Sequence, residues 1–254
     1  MVETGKVSLV GAGPGDPELI TLRGRDRLLE ADVVIYDELA GKALLEFCRP
    51  GCERIYVGKR CGLHAAAQEG IIELLITHAQ AGKKVVRLKG GDPFIFGRGG
   101  EELSALWRAG IPCEVVPGVT AASAAGAAAG ISLTQRGISS AVIFVTGHEN
   151  PDKPESAVDW RAYATLRATL CVYMGTRRLA TIADELIAGG MVIDMPVALV
   201  SRASWADQGV RFYSLAELAN LDGGALPSPT IAIIGEVARV PEHAQALAAA
   251  AAGL

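Results

Sequence analysis

Short β-branched runs alternate with helix-like segments through the first half of this chain, and that alternation restricts its fold more than any other feature. Val7–Val10, Val33–Tyr36, Arg54–Val57, Lys84–Leu88 and Cys113–Val116 read as strands. Between them, Thr21–Glu30, Gln68–Ala81 and Gly100–Ala109 carry apolar residues at helical spacing. Strand-then-helix order predicts a parallel sheet covered by helices on both faces. Past Pro117 the texture changes. The small residues up to Gly130 predict a closely packed helix. Ala141–Thr146, Thr169–Tyr173, Pro196–Val200, Val210–Tyr213 and Thr230–Ile234 then read as strands, with a helix over Thr176–Ala188 stopped by Gly189-Gly190. The expected fold is α/β: two α/β lobes with mostly parallel sheets around a central cleft. The lobes are read as 1–116 and 117–243, followed by an Ala-rich tail, 244–254, as a frayed helix. Asn150–Glu155, rich in Pro and charge, reads as an exposed loop.

Composition narrows the partners. Half of the 254 residues are hydrophobic, enough for cores in both lobes. The formal net charge of −4 excludes a global basic field for nucleic acid. A polyanionic ligand would need a local cluster of Arg and Lys. The longest stretch of low polarity, Val119–Leu133, is too short and too weakly apolar to span a bilayer, so no membrane is expected. The chain opens without a basic region leading into an apolar one, and the cytoplasm is the expected location. The five cysteines are scattered. Cys48, Cys52 and Cys61 imitate a metal site without a clear fourth ligand, so reduced thiols and no metal are expected.

Two glycine loops follow strands. Gly11-Ala-Gly-Pro-Gly15 comes directly after Val10, where α/β sheets bind ligands. A dinucleotide site is one reading, with Asp37 about 20 residues on as its ribose-binding acid. The G-x-G-x-G spacing, together with Pro14 and Pro17, argues against it; a structural turn is a further reading. The second loop, Leu88-Lys-Gly-Gly-Asp-Pro-Phe-Ile-Phe-Gly-Arg-Gly-Gly-Glu-Glu102, is longer than a connection needs. Its adjacent Gly90 and Gly91 would let a ligand lie against bare peptide. It lacks the Lys-Ser/Thr of a phosphate loop.

Those two loops, with Tyr36-Asp37, Val57-Gly-Lys59-Arg60, Pro117-Gly-Val-Thr-Ala121, Gly130-Ile-Ser-Leu-Thr-Gln-Arg136 and Val145-Thr-Gly-His148, occur in an order that resembles the tetrapyrrole (corrin/porphyrin) methylase family. The similarity runs from about Lys6 to Val240. Gln135 stands where the family usually has His. Within the family, the blocks look like those of enzymes that C-methylate uroporphyrinogen III at carbons 2 and 7 to give precorrin-2, for sirohaem or cobalamin. The resemblance implies S-adenosylmethionine as methyl donor, held by Pro14, Gly90, Gly91, Asp92, Ile95, Thr120, Ala121, Met174 and Ala203. It also implies Asp37 as proton acceptor, Lys59 as proton donor, and a homodimer. Arg98 and Arg136, with Lys59, Arg60 and Lys89, are the basic residues expected to meet the carboxylates of the macrocycle. Read alone, Asp37 could equally cap a turn, and Met174 could be core packing. A dinucleotide-dependent oxidoreductase and a non-catalytic tetrapyrrole-binding module are the rival functions.

Overall fold

The computed structural model describes residues 4–58, 64–148 and 158–239, the side chains of 64–67 apart. Five strands, β1 (Lys6–Gly11), β2 (Val33–Tyr36), β3 (Glu53–Tyr56), β4 (Lys84–Lys89) and β5 (Cys113–Val116), form one sheet in the order β3-β2-β4-β1-β5. All of its neighbouring pairs are parallel. Parallel strands need crossover connections, supplied here by α1 (Leu22–Glu30), by the 3-10 segments Glu38–Ala40 and Lys42–Phe47 between β2 and β3, and by α2 (His64–Gln80) and α3 (Gly99–Arg108). The pleat sends alternate residues to opposite faces. Val7, Leu9, Val33 and Val85 pack with Leu75 of α2 and Leu106 of α3. Val10, Val34, Val86 and Leu88 pack with Leu28 of α1. Both faces are therefore buried, as near-continuous apolar strands require.

The second sheet holds β6 (Val142–Thr146), β7 (Thr169–Tyr173), β8 (Pro196–Ser201), β9 (Gly209–Ser214) and β10 (Thr230–Ile234), ordered β6-β7-β10-β8-β9. It is mixed, unlike the mostly parallel sheet expected. Only β6 and β7 pair in parallel; β10 runs antiparallel to both β7 and β8, and β8 to β9. No helix intervenes between β8 and β9, so the chain can only turn back on itself there. The helices of this half are α4 (Ala121–Ala129), α5 (Trp160–Ala164), α6 (Leu179–Ala188) and α7 (Leu215–Ala219). The expected helix over 176–188 begins instead as a 3-10 turn, Thr176–Arg178, before α6. The small-residue segment is α4, which packs on β8 and β10 with Ala122, Ala124, Ala125 and Ala129 buried.

The chain divides into two units, Met1–Thr120 and Ala121–Leu254. The expected 150–155 loop and the 244–254 tail lie outside the described residues. No described helix is long and apolar enough to cross a membrane.

Candidate active site

In the first unit, three chain segments meet at the carboxyl ends of β1, β4 and β5. Gly13 N–H donates to Gly91 O at 3.2 Å and Gly91 N–H donates to Gly13 O at 2.7 Å. Beside them, Ala12 N–H donates to Lys89 O at 2.7 Å. The third segment is pinned by Asp92, whose Oδ2 accepts Gly118 N–H at 3.0 Å and whose Oδ1 accepts Phe94 N–H at 2.8 Å. Only glycine fits this junction. A Cβ on Gly118 would lie 2.2 Å from Gly91 O, and one on Gly11 would lie 2.6 Å from the Gly118 backbone. Gly91 also has φ +67°, a region that costs a side-chain-bearing residue on the order of 1–2 kcal/mol. At Gly90 a Cβ would come within 2.6 Å of Leu39 Cβ.

This seam has consequences for its ligand. The amides of Ala12, Gly13, Gly91 and Gly118 are already spent inside the protein. Neither 11–16 nor 90–97 contains Lys or Arg. The helix after the first loop begins only at Leu22, capped by Thr21, beyond a 3-10 turn at Pro17–Leu19. A pyrophosphate wants free amides, a helix N-terminus or a cation; here these four amides are bonded, the helix starts late and the two stretches carry no cation. The half-buried Gly90, Gly91, Asp92 and Ile95, with one carboxylate and one apolar side chain among them, suit a sulfonium zwitterion with an apolar ring. The donor set and the absence of Cβ atoms thus fit S-adenosylmethionine and not a dinucleotide.

Asp37 follows β2, on the same sheet edge. Its Oδ1 accepts Leu39 N–H at 3.2 Å and caps the 3-10 turn Glu38–Ala40. Its Oδ2 accepts Arg87 Nη2 at 2.8 Å, and its side chain is 29% exposed. Capping and pairing therefore occur together, and the carboxylate still reaches the surface. Behind it lies a buried cluster that the sequence reading missed. Arg87 Nε and Lys89 Nζ contact Glu102 Oε1 at 3.3 and 3.0 Å, with all three side chains at most 5% exposed. Burial, then the neighbouring Arg87, pushes the Lys89 ammonium below its ordinary range. Lys89 is therefore corrected: it does not belong to a basic patch facing ligand. The signal was available, since cations at alternate positions of a central parallel strand can only point into a core face.

Arg98 is exposed, adopts φ +58°, and forms bonds of 2.9 and 2.7 Å with Glu101. Thr120 closes this unit. Lys59 and Arg60 lie outside the described residues.

In the second unit, Ala121 opens α4, and Ala122 N–H donates to the Tyr173 hydroxyl at 3.0 Å, tying the helix start to the end of β7. The next residue, Met174, is 54% exposed with φ +53°, so it is not core packing. Arg202 and Ser204 flank buried Ala203 and also have positive φ, just beyond β8. Ala121, Met174 and Ala203 thus share one sheet edge, and two of them sit in or beside unusual backbone. At that edge β6 and β7 approach so closely that a Cβ on Gly147 would lie 2.4 Å from Gly175 Cα. Arg136 is exposed in a turn closed by bonds of 2.9 Å in both directions between Gln135 and Ser139. The Gln135 backbone thus serves that turn. Among the described residues, no group of His, Cys, Asp and Glu could hold a metal ion.

Comparison with known proteins follows the same lines. Siroheme synthase 1 of Yersinia enterocolitica is 54% identical over 233 residues, covering 92% of this chain and 49% of that protein. Siroheme synthase of Acinetobacter baylyi is 50% identical, covering 95% of this chain and 52% of its own length. The chain spans about half the length of these curated relatives. Uroporphyrin-III C-methyl transferase of Thermus thermophilus, complexed with S-adenosylhomocysteine, superposes with a TM-score of 0.79 at 44% identity, over 93% of this chain and 100% of that one. A cobalt precorrin-4 methyltransferase superposes with a TM-score of 0.82 at 29% identity, over 92% and 96%. The family model of the tetrapyrrole (corrin/porphyrin) methylases matches residues 6–219, and the chain belongs to that family.

Proposed function

We propose that this chain transfers methyl groups from S-adenosylmethionine to carbons 2 and 7 of uroporphyrinogen III, yielding precorrin-2. The observation that carries the reading is the glycine seam, where the amides of Ala12, Gly13, Gly91 and Gly118 are spent internally and the stretches 11–16 and 90–97 carry no Lys or Arg. The Thermus thermophilus enzyme complexed with S-adenosylhomocysteine supports the choice of cofactor and reaction. When bound, the cofactor supplies an electrophilic methyl group on a sulfonium, which an electron-rich pyrrole carbon can attack.

On the family pattern, Pro14, Gly90, Gly91, Asp92, Ile95, Thr120, Ala121, Met174 and Ala203 would hold the cofactor. The protein's main contribution is orientation, because the reacting partners are already matched in charge demand. Each new quaternary carbon leaves a proton to be removed from the ring system. Asp37, anchored through one oxygen by a backbone amide and through the other by Arg87, is the acceptor we assign. Lys59 is the proposed donor on the family pattern. Arg98 and Arg136 are the proposed carboxylate contacts, supported by their exposure beside glycine turns. The reading extends to a cytoplasmic homodimer, on the family pattern alone.

Incubation with uroporphyrinogen III and labelled S-adenosylmethionine, followed by mass analysis, tests the proposal. A product carrying two labelled methyl groups, each in place of one proton, is expected; no label transfer to the macrocycle would refute it.

A further inference from the structure

Four ionisable groups in the first unit form one chain of contacts that no step above uses in full. Lys89 Nζ lies 3.0 Å from Glu102 Oε1, the same oxygen lies 3.3 Å from Arg87 Nε, and Arg87 Nη2 lies 2.8 Å from Asp37 Oδ2. Gln68 of α2 donates its amide to Glu102 Oε1 at 3.1 Å. Glu102 Oε2 is buried with no hydrogen-bond partner among the described residues.

Removing three charged side chains from water is costly, and well-packed apolar residues usually serve stability at least as well. The cluster therefore needs another reason to exist. Formal charges supply one. Arg87 and Lys89 face Glu102 and Asp37, so the group is neutral only when Asp37 is counted. Three members are nearly fully buried and rigidly placed, while Asp37 alone reaches the surface. Arg87 is held on the core side by Glu102 and by bonds to Leu88 O at 2.9 Å and Ile35 O at 3.4 Å. Its remaining nitrogen then fixes where the Asp37 carboxylate sits. Glu102 occupies the first turn of α3, where the helix dipole favours a negative charge.

We propose that Glu102, balanced by Lys89, is a positioning residue for methyl transfer that acts on Asp37 through Arg87. This rests on the reading of Asp37 as proton acceptor. Glu102 touches neither ligand; its effect is to keep the Arg87 guanidinium, and hence the Asp37 carboxylate, in one place. Lowering of the Lys89 ammonium by burial is consistent with a site where charge balance is tight.

The double variant Lys89→Met/Glu102→Met removes one charge of each sign and keeps the cluster neutral. It should fold with some loss of stability, because Arg87 Nε and the Gln68 amide lose the Glu102 oxygen that accepts from them. We expect unchanged affinity for S-adenosylhomocysteine, a KM for uroporphyrinogen III within about threefold, and kcat lower by about tenfold or more. A purely structural cluster would leave kcat of the folded variant untouched. The second arm repeats the substitution in an Asp37→Asn background, where no further loss is expected if the effect runs through Asp37. A kcat within twofold of wild type, or an equal loss in both backgrounds, overturns the inference. An equal loss in both backgrounds leaves Asp37 standing as base. A fully active Asp37→Asn single variant removes the base reading and this inference with it. If the double variant does not fold, Glu102→Gln carries the same expectation and the same overturning results.

Discussion

Gly118→Ala separates crowding of the glycine seam from backbone strain, because Gly118 is not among the residues with positive φ. The added methyl would lie 2.2 Å from Gly91 O and 2.8 Å from Gly11 Cα. A carbon normally approaches a carbonyl oxygen no closer than about 3.3 Å, so one side must move by about 1 Å. Both neighbours are backbone and cannot rotate away. Gly91 O accepts from Gly13 at 3.2 Å, and the return bond from Gly91 N–H is 2.7 Å. A 1 Å displacement breaks at least one of these bonds and strains the other. At about 0.5–1.5 kcal/mol per bond, the expected destabilisation is about 1–3 kcal/mol. For a chain of this size each kcal/mol lowers the melting temperature by about 2–4 °C. The effect on ligand should be larger, because misplacing a preorganised surface by about 1 Å costs on the order of a hundredfold. Titration calorimetry with S-adenosylhomocysteine and a thermal melt measure the two losses. Gly100→Ala is the control: nothing lies within 4 Å of its added methyl, and it sits inside α3, where Ala is favoured over Gly. The reasoning fails if Gly118→Ala keeps wild-type affinity and melting temperature, or if the two substitutions behave alike.

Asp37→Asn should bind S-adenosylhomocysteine normally while methyl transfer slows about a hundredfold or more, measured by single-turnover label transfer; loss of cofactor affinity instead would point to a ligand-binding acid. Arg98→Ala and Arg136→Ala should each raise KM for the macrocycle, more so at low salt, with little change in cofactor affinity; wild-type kinetics across salt concentrations would make both simple surface charges. Arg27 bonding, then Ser8, holds the Glu114 carboxylate below its ordinary range against the opposing effect of burial. Its stabilising contribution is therefore complete above about pH 4.5 and is lost as the pH falls through the lowered value. Glu114→Gln should flatten the acid side of the melting curve, and an unchanged pH dependence would refute this. Burial pushes the Cys48 thiol up to about 11 and those of Cys113 and Cys171 to about 12. Peptide mapping after alkylation at pH 8 should find these three thiols nearly unmodified in native protein and rapidly labelled after unfolding.

The sequence alone determined the parts of this protein that depend on neighbours along the chain. Val7–Val10 followed by Gly11–Gly15, and Lys84–Leu88 followed by Gly90–Gly91, are local patterns: β-branched runs form strands, and glycines mark where a strand must stop and turn. The placement of both loops at strand ends was legible for that reason, as was Asp37 at the end of β2. Strand direction was legible only while each strand was followed by a helix. Between β8 and β9 no helix intervenes, and antiparallel insertion of β10 between β7 and β8 came from pairing between distant segments. Resemblance marked Met174 and Ala203, but their residue types carry no local signal; the positive φ at Met174, Arg202 and Ser204 appears only in the folded backbone. The fate of Lys89 shows the same division. Composition shows a lysine beside two glycines, which suggests a cation facing ligand. The pleat of β4 turns it to the side shared with Arg87 and Val85, and α3 brings Glu102 there to meet it. Which of two faces a strand residue occupies, and what charge waits on that face, depends on a helix thirteen residues on and on how it packs.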